Sequence, residues 1–162
     1  MYVPFDTLPE NSRVWLYQSE RKFSSEEIKL IQSRLSHFCE SWNAHGNPLP
    51  TSYEILDDQI LVLAVDESAA GASGCSIDSS VRTLRELEQQ LRVDLTNSGK
   101  VSFKSEDGAI EVAHALSIKN KVLEGAITRD TQVINPILQS KKDLENIWIS
   151  AGKSWLNKYF PN

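Results

Sequence analysis

The chain has little of what metal sites and nucleic-acid surfaces are made from. It holds two cysteines and three histidines, with no tight spacing among them, so a structural zinc site, which takes four such ligands, is not expected. Lys and Arg number 17 against 22 Asp and Glu, for a formal net charge of −5. That balance argues against a nucleic-acid binder held chiefly by phosphate contacts, and the one dense basic cluster, Lys141-Lys142, is too small to offset it. No stretch approaches the roughly 18 consecutive apolar residues of a bilayer span, so no membrane partner is expected. The first nine residues, Met1 to Pro9, lack the basic start and apolar core of a signal peptide. A cytoplasmic location is the resulting expectation, and two free thiols follow from it rather than a disulfide. Low-complexity linkers and internal repeats are missing as well.

What is present is an ordinary globular composition, 40% hydrophobic and 24% charged over 162 residues, long enough to bury about two-thirds of the unfolded surface in one domain. Arg13 to Gln18 has the β-branched and aromatic character of a strand. Ser24 and Glu27 then form a capping box ahead of Ile28, Ile31, Leu35, Phe38, Cys39 and Trp42, whose three-and-four spacing marks one buried helical face. Cys39 sits on that face as a small hydrophobe. The segment Asn43-Ala44-His45-Gly46 ends the helix, with Gly46 suited to a left-handed terminal residue and His45 near the last carbonyls.

Thr51 to Leu56 and Gln59 to Val65, joined by Asp57-Asp58, predict a hairpin whose nearly all-apolar second arm lies in the middle of a sheet. A second helix follows on Ile77, Val81, Leu84, Leu87 and Leu91. Val101 to Lys104 and Ala109 to Val112 are short strands around a turn. This order, β-α-β-β-α-β, predicts an α+β protein with a ferredoxin-like core over about 13–113. The extension, about 114–162, should contain a short helix at Leu116 to Leu123 ended by Gly125, a strand at Thr131 to Ile134 and a helix from Lys141 to Trp148. Its aromatic residues should pack onto the same domain rather than face water.

In such a sheet the third strand lies between the first two. The end of helix one and the start of helix two then share one edge, which brings Trp42, His45 and Gly46 toward Asp66, Glu67 and the loop Gly71-Ala-Ser73-Gly74-Cys75. Three functions come into question, two of them at that edge. Backbone amides and hydroxyls of Gly71, Ser73, Gly74, Ser76, Asp78 and Ser79, with Trp42 beside them, would bind a small molecule or anion, or a partner. Alternatively, Cys75 at the helix N-terminus would be an activated thiolate with His45 as base and Asp66 or Asp78 orienting the imidazole. A third alternative is a homodimeric interaction module using an exposed sheet face or the aromatic tail. A purely structural account competes with all three: Ser73 or Ser76 caps the helix, Asp78 complements its dipole and Cys75 packs under the loop. No cofactor is implied.

Tyr2-Val-Pro-Phe5, Ser41-Trp42-Asn-Ala-His45-Gly46, Ala64-Val-Asp66-Glu67 and Ser73-Gly-Cys75-Ser-Ile-Asp78 together resemble a family of small bacterial proteins, some of which carry the label "ABC transporter ATPase". The resemblance spans essentially the whole chain and implies no established activity or site. The label itself finds no support in the residues. A phosphate-binding loop takes a glycine, four residues and then Gly-Lys-Ser/Thr, and the one Gly-Lys-Ser, at 152–154, has Ile147 where the first glycine belongs. The loop from Gly71 to Cys75 has no lysine. Nucleotide hydrolysis is not expected.

Overall fold

The computed structural model describes residues 1–69, 71–72, 74–97 and 99–161, with backbone only at position 75. The protein is a mixed α+β chain that divides into two compact units. The first comprises Met1–Thr96 with Gln139–Asp143, and the second Asn97–Leu138 with Leu144–Asn162. The division falls near residue 96, whereas the expected core ran on to about 113.

The first unit opens with β1 (Arg13–Gln18) and α1 (Ser25–Ser41). The capping box is present: the Glu27 amide donates to Ser24 Oγ at 3.2 Å and the Ser24 amide to Glu27 Oε1 at 2.9 Å, so two orphan amides of the helix start are satisfied. A small hairpin follows, β2 (Asn43–Ala44) and β3 (Asn47–Pro48). Its turn is His45-Gly46, with φ of +51° and +82°, two left-handed residues as a type I′ turn requires. His45 and Gly46 therefore belong to this turn and do not terminate the helix, contrary to the expectation from sequence. The helix stops at Ser41, with Trp42 as its extended C-cap.

β4 (Thr51–Leu56) and β5 (Ile60–Val65) form the expected hairpin, turning through Asp57 and Asp58 with φ of +53° and +54°. The sheet order is β1-β5-β4, antiparallel throughout, so the apolar β5 is central. It is buried along its whole length. Leu61, Leu63 and Val65 join one core with Ile31, Leu35 and Phe38 of α1 and with Leu84, Leu87 and Leu91 of α2 (Gly74–Leu91). Cys39 is fully buried there, and loss of water contact pushes its thiol up to about 12. It is inert as a nucleophile at neutral pH.

The fourth strand of the ferredoxin-like pattern does not enter this sheet. Beside β1, where that strand would sit, runs the segment 139–141. The Val14 amide donates to the Gln139 carbonyl at 3.1 Å, and the Lys141 amide to that of Ser12 at 2.8 Å. On the far edge, Met1 to Val3 pair with Thr51 of β4. The expected fourth strand instead becomes β6 (Lys100–Lys104) of the second unit. There it pairs along its full length with β7 (Ile110–His114) across a tight turn. Its other edge pairs with a later strand at Phe103 and Val133, so both edges of β6 are used within the second unit.

The second unit has the sheet order β7-β6-β8-β9. α3 (Ile118–Leu123) ends at Gly125, whose φ is +81°, and β8 (Gln132–Ile134) follows. Residues Lys141–Asn146, the first three of them in the first unit, form only a 3-10 helix, and Trp148, expected in a longer helix, opens β9 (Trp148–Ser150). The core gathers Val101, Phe103, Ile118, Ile127, Val133 and Leu156. Gly152-Lys153-Ser154 lies on and after a 3-10 turn, not in a strand-to-helix loop.

Candidate functional site

The loop before α2 uses its own carboxylates where an external anion would bind. Glu67 Oε2 accepts the Ala72 amide at 2.7 Å, and Asp66 Oδ1 accepts that of Ser68 at 2.9 Å. Glu67 also stands 3.8 Å from the guanidinium of Arg13. Asp66 is thus a loop-capping residue, and no hydrogen bond or ion pair among the described residues joins it to His45. His45 projects from the β2–β3 turn, and its side chain is exposed. The backbone of Cys75 lies in the first turn of α2. Its side chain, like the whole of Ser73, lies outside the described residues.

Trp42, which continues the apolar stripe of α1 and is also the expected companion of the loop, is a core residue, 3% exposed. Its indole N–H donates to the Ser76 carbonyl at 2.6 Å, and its ring meets Phe38 and Trp15 with centroids 5.1 and 5.8 Å away. The ring has no open face on which a ligand could stack. Its hydrogen bond ties the end of α1 to the first turn of α2, and so fixes how the two helices sit side by side. Ser76 is buried, while Gly71, Gly74 and Asp78 are exposed.

Along that helix pair lies a groove of about 340 Å³, toward the lower end of the range of small-molecule pockets. α1 supplies Arg34, His37, Phe38 and Ser41; α2 supplies Ser79, Arg82, Thr83 and Glu86. Each set follows three-and-four spacing, a polar stripe bordering the apolar one on the same helix. Among the described residues, Ser79 is the one member of the sequence-predicted set that lines it. Arg34 Nη2 donates to Glu86 Oε2 at 2.8 Å, spanning the two helices. With Glu86 engaged by Arg34, neither the Arg82 guanidinium nor the His37 imidazole has a hydrogen bond or ion pair among the described residues.

The groove therefore carries two guanidiniums and an imidazole against a single carboxylate, a local positive excess on a chain of net charge −5. Sequence reasoning makes His37 an ordinary surface residue and Glu86 part of a solvated helical face, and gives Arg34 and Arg82 no role, because charges on the outer side of a helix are usually solvated. The signal that could have found them is the pair of matching polar stripes at helical spacing.

A second cleft, about 370 Å³, lies in the second unit near Lys104, Glu106, Asp130 and Gln132. Its lysine stands over the Trp148 ring at 4.7 Å, and its hydroxyls at Thr128 and Thr131 contact each other. Its charges of both signs converge on no one chemistry. No cluster of metal-ligating side chains occurs among the described residues, and no described helix is long and apolar enough to cross a membrane. Compared with models of protein families, with curated proteins and with solved structures, the chain matched none at a significant level, so its function has to be argued from this geometry.

Proposed function

We propose that the first unit binds a small anionic molecule in the groove between α1 and α2. The observation that carries this is the exposed Arg82 guanidinium, unpaired among the described residues, in the same open groove as the unpaired imidazole of His37, where the one carboxylate is already bound to Arg34. Charge-assisted hydrogen bonds from a guanidinium are the strongest polar contacts a protein side chain offers to phosphate or carboxylate. The groove lies one to three turns from the loop edge named by the sequence, on the same helix pair. It replaces that loop as anion donor because the loop turns its own carboxylates on the Ser68 and Ala72 amides. The acidic net charge and modest volume favour a metabolite over a polyanionic macromolecule.

Titration with inorganic phosphate, followed by amide chemical shifts, tests the proposal. Saturable shifts are expected at residues 34–41 and 79–86, and Arg82→Ala should weaken the apparent affinity at least tenfold. Absence of shifts on either helix would overturn the reading.

A further inference from the structure

We infer that the ligand of this groove is a polyhydroxylated anion, of the sugar-phosphate or sugar-acid kind, rather than a bare anion; the inference rests on the anion site proposed above. The groove does not consist of donors alone. Ser41 Oγ donates its single proton to the carbonyls of His37 and Phe38, at 3.3 and 3.1 Å. Thr83 Oγ1 donates to the Ser79 carbonyl at 3.2 Å. A hydroxyl has one proton, so with these bonds made both groove-lining residues have lone pairs to offer a ligand. Glu86 spends Oε2 on Arg34, and its Oε1 has no partner among the described residues.

The site is thus divided by chemistry. Arg82, His37 and the Ser79 hydroxyl can donate to an anionic head. Ser41 and Thr83, with those bonds made, and Glu86 Oε1 accept, and the inorganic phosphate dianion has one proton to share among the three. An ammonium group would satisfy an acceptor, but at Glu86 it would stand beside the Arg34 guanidinium, where like charge repels it. Neutral hydroxyl groups suit all three acceptors. A ligand bearing an anion at one end and hydroxyls along its body uses both halves of the groove.

Isothermal titration with inorganic phosphate, acetate, glucose 6-phosphate, gluconate and glucose decides the matter. Glucose 6-phosphate is expected to bind at least tenfold more tightly than phosphate, or gluconate than acetate, and the pair showing the gain identifies the head group. Glucose alone should not bind. Thr83→Val removes one acceptor at nearly constant volume and should lower glucose 6-phosphate affinity more than phosphate affinity, erasing most of that gain. Ser41→Ala, at the exposed end of α1, is the second variant should Thr83→Val fail to fold. Equal affinity for hydroxylated and bare anions would overturn this inference and leave the anion site standing. Failure of every anion to bind would overturn both.

Discussion

In the first unit two helices, α1 of 17 residues and α2 of 18, cover a three-stranded sheet. In the second, a four-stranded sheet is closed by helical segments of three to six residues. The long helices of the first unit bury a continuous stripe, so packing supplies their order and only their ends need special chemistry. The short segments of the second unit cannot do this, because a helix of one or two turns is unstable by itself in water. The second unit depends on turn chemistry instead. Asp107 accepts the Ala109 amide, Thr131 Oγ1 that of Thr128 and Ser154 Oγ that of Leu156. Arg129 reaches Asn157 and the Pro161 carbonyl and stands over the Phe160 ring. One unit is specified by periodicity and the other by local side-chain-to-backbone bonds.

If that contrast is right, the largest loss comes from a cavity in the first unit's core. Leu63, 1% exposed in the middle of β5, should cost about 2–5 kcal/mol as Leu63→Ala, read from the midpoint of urea unfolding. In the second unit a comparable loss should come from a residue with no side chain at all. A Cβ on Gly152 would meet Arg129 Cβ at 3.2 Å and the Arg129 carbonyl oxygen at 3.3 Å, beside the hydrogen bond from the Gly152 amide to that carbonyl. Gly152→Ala is expected to cost about 1–3 kcal/mol by overpacking. Hydrogen-exchange protection lost around 129 and 152 would locate the damage, whereas unchanged protection there would break the comparison.

The smallest effect concerns a helix end. Arg21 grips Glu27 with two hydrogen bonds of 2.8 and 2.7 Å, and chiefly for that reason its carboxyl falls from 4.5 to about 2. Because the folded value is the depressed one, the stabilisation is complete above about pH 4.5 and is lost as the pH falls toward 2. Glu27→Gln should therefore lower stability by about 1 kcal/mol at neutral pH. It should also flatten the dependence of stability on pH across that window, as acid-unfolding curves would show.

The same contrast explains what could be read from sequence alone. The capping box, the apolar stripes of α1 and α2 and the uninterrupted run of β5 each reflect many residues acting together, and they lie where the pattern puts them. β9 was invisible because three residues, Trp148 to Ser150, carry no period of their own. The assignment of β6 to a second sheet was hidden for a different reason: strand pairing is a long-range choice, and β6 has the same composition whichever sheet it joins. At the site, attention to small residues led to the loop before α2, where Asp66 and Glu67 already occupy backbone amides. The groove residues stood in plain view as a solvated face, and only the helix–helix contact made by Trp42 turns two such faces into one cleft.

That contact also has an optical consequence. Trp42 and Trp15 meet edge-on at 64°, Trp15 lying on β1 and Trp42 capping α1. Two indoles held this close couple their electronic transitions and give an exciton couplet in the circular dichroism spectrum. The signal requires strand and helix to be docked, so it reports tertiary assembly of the first unit separately from its helix content. With Phe38 touching Trp42 and lining the groove, the protein carries its own chromophore for watching that face of the molecule fill.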